Sequence, residues 1–153
     1  MIVEKTAIAK PVMVVDDEPD IVAVLKRGIE REGFEVHAFS SPEEALANFK
    51  PNAYSLLVTD IRMPNLNGLE LYSKISKIDP KLRVGFLTAY EMHDYEFRRA
   101  HPEASNIAFV MRKPVSILAL LNRIRAVLEQ EGAEQNGIYL SLRDDKRKDK
   151  RAE

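Results

Sequence analysis

Four short apolar runs in this chain each end on a residue that can carry or manage charge, and most of the chain between them has helical period. Val12-Met13-Val14-Val15 leads into Asp16-Asp17, Leu56-Leu57-Val58-Thr59 into Asp60, Val84-Gly85-Phe86-Leu87 into Thr88, and Phe109-Val110-Met111-Arg112 into Lys113. Short β-branched runs alternating with longer amphipathic segments are the pattern of βα units and a parallel sheet. A further run over Glu35–Phe39 brings the count to five strands and five helices. In an open sheet of this kind, ligands bind in the crevice outside the carboxyl ends of the strands. Three acids, one hydroxyl and one lysine therefore converge on one small site, and phosphoryl handling at a carboxylate is the chemistry that uses this mixture.

The helices announce their own ends. Pro19 sits just inside the first turn of a helix carrying Ile21, Leu25 and Ile29 on one face, with a stop near Gly33. Ser41, Pro42 and Glu44 form a capping box for a second helix that should end near Lys50-Pro51. The third runs through Leu69, Tyr72, Ile75 and Ile78 to Asp79-Pro80, and a fourth spans about Glu91 to Ala100, closed by His101-Pro102. The fifth begins after Pro114 and shows Ile117, Leu120, Leu121, Ile124 and Leu128 on one face. Strands are expected over Val12–Val15, Glu35–Phe39, Ser55–Asp60, Arg83–Leu87 and Ile107–Met111.

A chain of 153 residues, 45% hydrophobic and 31% charged, supports one domain core. The boundaries read as an N-terminal extension over 1–10, the domain over 11–131 and a charged tail over 132–153. Within that tail Ala133–Gly137 is a linker, Ile138–Leu142 a short apolar alternation, and Arg143–Glu153 a solvated mix of charges. The absence of cysteine removes disulfides and thiolate sites and agrees with a reducing, cytoplasmic setting. No apolar run approaches the roughly 20 residues of a membrane span. A formal net charge of −1 gives no field to gather nucleic acid, and Lys146-Arg147-Lys148 is flanked by Asp144, Asp145 and Asp149.

Asp16-Asp17, the segment Asp60-Ile61-Arg62-Met63-Pro64 with Gly68 beyond it, Thr88-Ala89 and Lys113-Pro114 together resemble the receiver domain of two-component response regulators, over about residues 10–131. The resemblance implies a flavodoxin-like (βα)5 fold, a doubly wound parallel five-stranded sheet of order 2-1-3-4-5 with helices on both faces. It implies Asp60 as phosphoacceptor, with Thr88 and Lys113 holding phosphoryl oxygens. Mg²⁺ would be bound by Asp17, by Asp16 directly or through water, by Asp60, and by the backbone carbonyl of Arg62. Three gathered carboxylates repel one another, and a hard divalent cation lets them remain ionised. Ala89 would leave access to Asp60, the bond before Pro114 would be cis, and Gly68 would supply a positive φ in the loop after Asp60.

Two departures from the family stand out. Receivers carry an aromatic three residues before the lysine, which swings inward as the hydroxyl engages phosphate; here that position is Val110, and the aromatic is Phe109. Strand alternation puts these neighbours on opposite faces unless a bulge shifts the register. The stretch from Thr88 to Lys113 is also longer than usual, with Arg98–Glu103 as the site of extra length. Arg62 and Tyr90 flank the site, where they are expected to tune phosphoryl lifetime. His37, His93, His101 and Met63 read as packing or surface residues.

The function this implies is a stand-alone switch, phosphorylated by a histidine kinase and read by a downstream effector protein, with homodimerisation left open. It would turn over no small-molecule substrate beyond phosphodonors, so it is not expected to be an enzyme. No output domain is expected after the last helix. One rival is a degenerate receiver serving as a phosphorylation-independent scaffold. A metal-dependent phosphohydrolase would need a general acid two residues after its nucleophile, and Arg62 occupies that position.

Overall fold

The structure, a computed structural model, describes residues 10–89 and 94–135. Its strands are β1 (Val12–Val15), β2 (Val36–Phe39), β3 (Leu56–Asp60), β4 (Val84–Thr88) and β5 (Ile107–Arg112). Its helices are α1 (Pro19–Glu30), α2 (Pro42–Asn48), α3 (Gly68–Ile78), α4 (Asp94–Ala100) and α5 (Ile117–Gln135). The strands form one parallel sheet in the order β2-β1-β3-β4-β5. The doubly wound fold implied by the sequence is the one observed. Residues 1–9 of the N-terminal extension expected over 1–10, Tyr90, His93 and the tail beyond Gln135 lie outside the described residues.

Two apolar cores flank the sheet, and strand alternation feeds both. Met13, Val15, Leu57, Val84 and Phe86 face a core shared with Leu71, Tyr72, Ile75 and Phe97 from α3 and α4. Val12, Val14, Leu56, Val58 and Leu87 face the other, with Leu25 and Ile29 of α1 and Leu120, Leu121 and Ile124 of α5. α1, α3 and α5 bury most of the apolar face that their periodicity predicted, whereas Ile78 at the end of α3 is exposed. The sheet's buried charged side chains and hydroxyls gather at strand ends, where Asp16, Asp60 and Thr88 stand, and Thr59, one residue inside β3, donates its hydroxyl to the Asp60 carbonyl.

The β5 register breaks the simple alternation. Val84 pairs with Ile107 but Gly85 pairs with Phe109, so Ala108 is an extra residue, a bulge. Ala108 and Phe109 consequently both turn to the α1/α5 side, while Val110 returns to the α3/α4 side. Phe109 is fully enclosed, and its ring occupies the space a side chain at position 85 would need: a Cβ there would lie 2.1 Å from the ring's Cζ. A bulge was the one condition under which Phe109 could have stood in for the inward-swinging aromatic, and the bulge observed does not bring it to that face. The bulge instead locks Phe109 onto the opposite face.

The structure differs from expectation at two helix ends and at Gly68. Ser41 Oγ accepts from the Glu44 amide at 3.2 Å as expected of a cap, but α2 stops at Asn48, short of Lys50-Pro51, because Phe49 turns extended to bury its ring. At the other end of the chain α5 passes through Gly132 to Gln135 instead of yielding to a linker. One helical glycine costs only about 1 kcal/mol, and its neighbours Ala133, Glu134 and Gln135 are good helix formers. Gly68 has no positive φ; among described glycines only Gly33 does, at 91°, where α1 ends. What Gly68 supplies is room, since a Cβ would lie 2.1 Å from the Asp60 carbonyl oxygen.

Gly85→Ala tests the ring-over-glycine packing. Overpacking should destabilise the protein by about 1–3 kcal/mol in urea unfolding. Adding Phe109→Leu should recover part of that loss, and a strictly additive double mutant would contradict the contact.

Candidate functional site

The site is assembled from the carboxyl ends of β1, β3, β4 and β5. β1 delivers Asp16, fully buried, and Asp17, half-buried; β3 delivers Asp60, 5% exposed. One carboxylate oxygen from each of the three lies within 4.8 Å of the others. Like charges held this close in a desolvated crevice need compensation, and Lys113 provides it. Its Nζ donates to Asp16 Oδ2 at 2.7 Å and to Asp60 Oδ2 at 3.1 Å, a bridge between two strand ends that are distant in sequence.

The backbone fixes these side chains in turn. The Lys113 amide donates to the Thr88 carbonyl at 2.7 Å, which ties the end of β5 to the end of β4. The Lys113–Pro114 bond is cis. Asp16 Oδ1 accepts from the Glu18 amide at 2.9 Å, so it secures the entry to α1, whose N-cap, Glu18, makes no side-chain bond of its own. Asp60 Oδ1 accepts from the Arg62 amide at 3.3 Å, the Ile61 amide donates to the Leu87 carbonyl, and the Gly68 amide donates to the Ile61 carbonyl. The loop after Asp60 is thus folded tightly back on the strand that carries it.

Burial raises the Asp60 carboxyl above its usual range; Asp16 adds to this, while Lys113 and the Arg62 amide oppose it. Burial works to lower the Lys113 ammonium, but the hydrogen bonds and charges of Asp16 and Asp60 outweigh it and raise the lysine. Burial of Asp60 therefore leaves its ionised form strained. Three carboxylates offering hard oxygen donors within this radius fit a magnesium ion, and they are the residues that would hold one.

Of the other residues anticipated from sequence, Thr88 is buried at the end of β4 and Ala89 beside it is exposed. Val110 is half-buried on the α3/α4 side, Arg62 is exposed, and Met63 is buried in the core as a packing residue. His37 accepts or donates a 2.9 Å hydrogen bond with Tyr54, and His101 packs on Phe97, so both serve structure away from the acids. Sequence reading missed the Asp16–Lys113 contact, the shorter of the two lysine bridges. Its signal was present in the burial expected of an acid ending a central strand, which demands a partner.

A doubly wound α/β domain with an acidic crevice and a lysine at its strand ends is the class these observations define. The family model for the response regulator receiver domain matches residues 12–125, and the chain belongs to that family, the receiver domains of two-component systems. It is 29% identical over 119 residues to the response regulator receiver protein CpdR of Brucella abortus (strain 2308), a match covering 78% of this chain and 97% of CpdR. It is 33% identical over 135 residues to the uncharacterized transcriptional regulatory protein YkoG of Bacillus subtilis (strain 168), covering 87% of this chain but 58% of YkoG. A CheY-like receiver domain protein from Methanospirillum hungatei JF-1 superposes with a TM-score of 0.72 at 28% identity, over 82% of this chain and 98% of that one. The BeF3-activated DrrB receiver domain gives a TM-score of 0.67 at 25% identity, over 80% and 99% of the two chains. No helix among the described residues is long and apolar enough to cross a membrane.

The raised Asp60 carboxyl has a stability consequence with a definite sign. A carboxyl whose folded pKa lies above its unfolded value contributes stability below the unfolded pKa, about 4, and loses it as pH rises through the folded pKa. In chelator at neutral pH, Asp60→Asn should therefore raise Tm by about 2–5 °C, with the gain vanishing below about pH 4. A lowered Tm at neutral pH would contradict the strain assigned to Asp60.

Proposed function

We propose that Asp60 accepts a phosphoryl group from a histidine kinase and that the protein signals through contacts which depend on that modification. The observation that carries this reading is the Lys113 ammonium seated between two buried carboxylates, one of which, Asp60, terminates the central strand β3. In the reaction a carboxylate oxygen of Asp60 attacks phosphorus while the bond from phosphorus to the donor's imidazole nitrogen breaks, and the released imidazole takes its proton from solvent. Lys113 would then exchange Asp60 for a phosphoryl oxygen while keeping Asp16, and Thr88 would offer its hydroxyl to a second oxygen. Magnesium, held by Asp16, Asp17, Asp60 and the Arg62 carbonyl, would supply charge neutralisation for the phosphoryl group. Arg62 at the rim, with Tyr90, would set access of water and hence the lifetime of the acyl phosphate.

The partners this reading calls for are a histidine kinase and an effector protein, in the cytoplasm. The names of relatives such as YkoG speak of transcriptional regulation, and this chain spans a little over half of that protein. The scaffold alternative, a receiver that never takes phosphate, finds no support, because the acids, Thr88 and Lys113 are all present at the strand ends. Phosphohydrolase turnover is disfavoured by Arg62, which cannot serve as a general acid near neutral pH.

Incubation with labelled acetyl phosphate and Mg²⁺ tests the proposal. The wild type should acquire one acid-stable, base-labile phosphoryl group, Asp60→Asn should acquire none, and chelation should suppress labelling. Equal label on wild type and Asp60→Asn would reject Asp60 as acceptor.

A further inference from the structure

The amino ends of β4 and β5, at the opposite end of the sheet from the acids, carry a groove of about 540 Å³. Its walls are Pro80, Lys81 and Arg83 from the loop before β4, Asn106 and Ile107 at the start of β5, and Gln130 of α5. The lining is cationic. Lys81 is exposed, and Arg83 Nη1 donates to Gln130 Oε1 at 3.0 Å, a neutral partner that leaves the guanidinium charge uncompensated. Asp79, the acid nearest in sequence, is buried with its carboxylate already accepting from the Asn52 and Lys81 amides. Apolar surface adjoins the cations. Ile78 is 43% exposed two residues before Pro80, and the stems of Lys81 and Arg83 extend that surface.

α5 delivers the rest of the chain to this place. It starts beyond the end of β5 and runs back along the sheet, so Gln130 stands at the groove, and Gln135, where the described helix ends, lies roughly 7–8 Å further on at 1.5 Å per residue. Asn136-Gly137 follows, a dipeptide that marks a turn, and then the apolar alternation Ile138-Tyr139-Leu140-Ser141-Leu142. Five extended residues reach roughly 17 Å, enough to return to Gln130 and cross beneath β5 and β4, whose axes stand about 4.8 Å apart. Asp144-Asp145 come next, and the basic run Lys146-Arg147-Lys148 lies beyond them and needs no place in the groove. The free edge of β5 is a poorer place for the same segment. α3 joins β3 to β4 across one face of the sheet, moving toward that edge, whereas α5 packs on the other face. A parallel strand added beyond β5 would therefore need a left-handed crossover, which parallel sheets almost never use.

We propose that the segment Ile138–Asp145 of this chain docks in the groove, its apolar residues against Ile78, Pro80 and the stems of Lys81 and Arg83, and its acids Asp144 and Asp145 paired with the Lys81 ammonium and the Arg83 guanidinium. An extended segment brings backbone amides and carbonyls that need partners, and a wall containing Asn106 and Gln130 can supply them where a purely apolar cleft could not. Tethering favours this occupant over a free partner of equal affinity, because a short linker from the groove wall sets an effective concentration of order millimolar. The docked segment lies at the far end of the strands from Asp60 and leaves the crevice open.

The chain contains no cysteine, so Ser141→Cys places a single nitroxide label on the tail of the whole chain. Paramagnetic broadening of amide resonances then reads the surface that the tail occupies. The amides of Lys81, Asn106 and Ile107 should lose most of their intensity, while those of Glu43 and Glu44, at the start of α2 by the opposite corner of the sheet, should keep it. Lys81→Glu with Arg83→Glu should relieve the broadening, and adding Asp144→Lys with Asp145→Lys should bring it back. Leu140→Asp, which alters only the tail, should relieve it as well. A mixture of isotope-labelled chain without nitroxide and nitroxide-labelled chain without isotope should show none, since each groove holds its own tail. The inference is overturned if Asn106 and Ile107 are not broadened, if neither charge reversal nor Leu140→Asp relieves the broadening, or if the reversed tail fails to restore it. Broadening of equal strength in the mixed sample would also overturn it, by assigning the groove to the tail of a second copy.

Discussion

The Lys113 ammonium between Asp16 and Asp60 is the contact on which the rest of this structure depends. Two buried carboxylates at the ends of adjacent parallel strands would repel each other across a medium with little solvent to screen them. A cation at 2.7 Å from one and 3.1 Å from the other makes their burial tolerable. Under the proposed function the same cation would pass from Asp60 to a phosphoryl oxygen. The contact is therefore what makes two buried carboxylates tolerable side by side.

The sheet explains how a residue so late in the chain reaches acids so early in it. The order β2-β1-β3-β4-β5 sets β1 and β3 side by side at the centre, so Asp16 and Asp60 are neighbours. The Lys113 amide on the Thr88 carbonyl then fixes where the end of β5 stands relative to β4. The bulge at Ala108 sits one strand length upstream and decides which side chains of β5 face which core. Register and chemistry are linked through a single extra residue.

Much of this was legible in the sequence, for identifiable reasons. Apolar runs that stop abruptly at Asp16, Asp60, Thr88 and Lys113 mark strand ends because a sheet covered on both faces has little room for charged side chains in its interior. Strand order was not legible from pattern, since periodicity says nothing about which strands are neighbours; it came through the family resemblance and is the order observed. The bulge was hidden inside Ala108-Phe109-Val110, a run with no glycine or proline to punctuate it. Its trace lay in the facing strand, where Gly85 interrupts an otherwise bulky run and leaves the space that Phe109 fills. The end of α5 was misplaced because Gly132 reads as a stop, while the propensity of the residues around it carries the helix on.

The central claim is that the carboxylate facing Lys113 from β3 is the one that becomes an acyl phosphate. Borohydride reduction converts an aspartyl phosphate to homoserine, so peptide mapping by mass spectrometry after reaction with a phosphodonor reads the acceptor directly. The account predicts homoserine at position 60 and at no other position. Homoserine at position 16 or 17, with Asp60 unaltered, would contradict it.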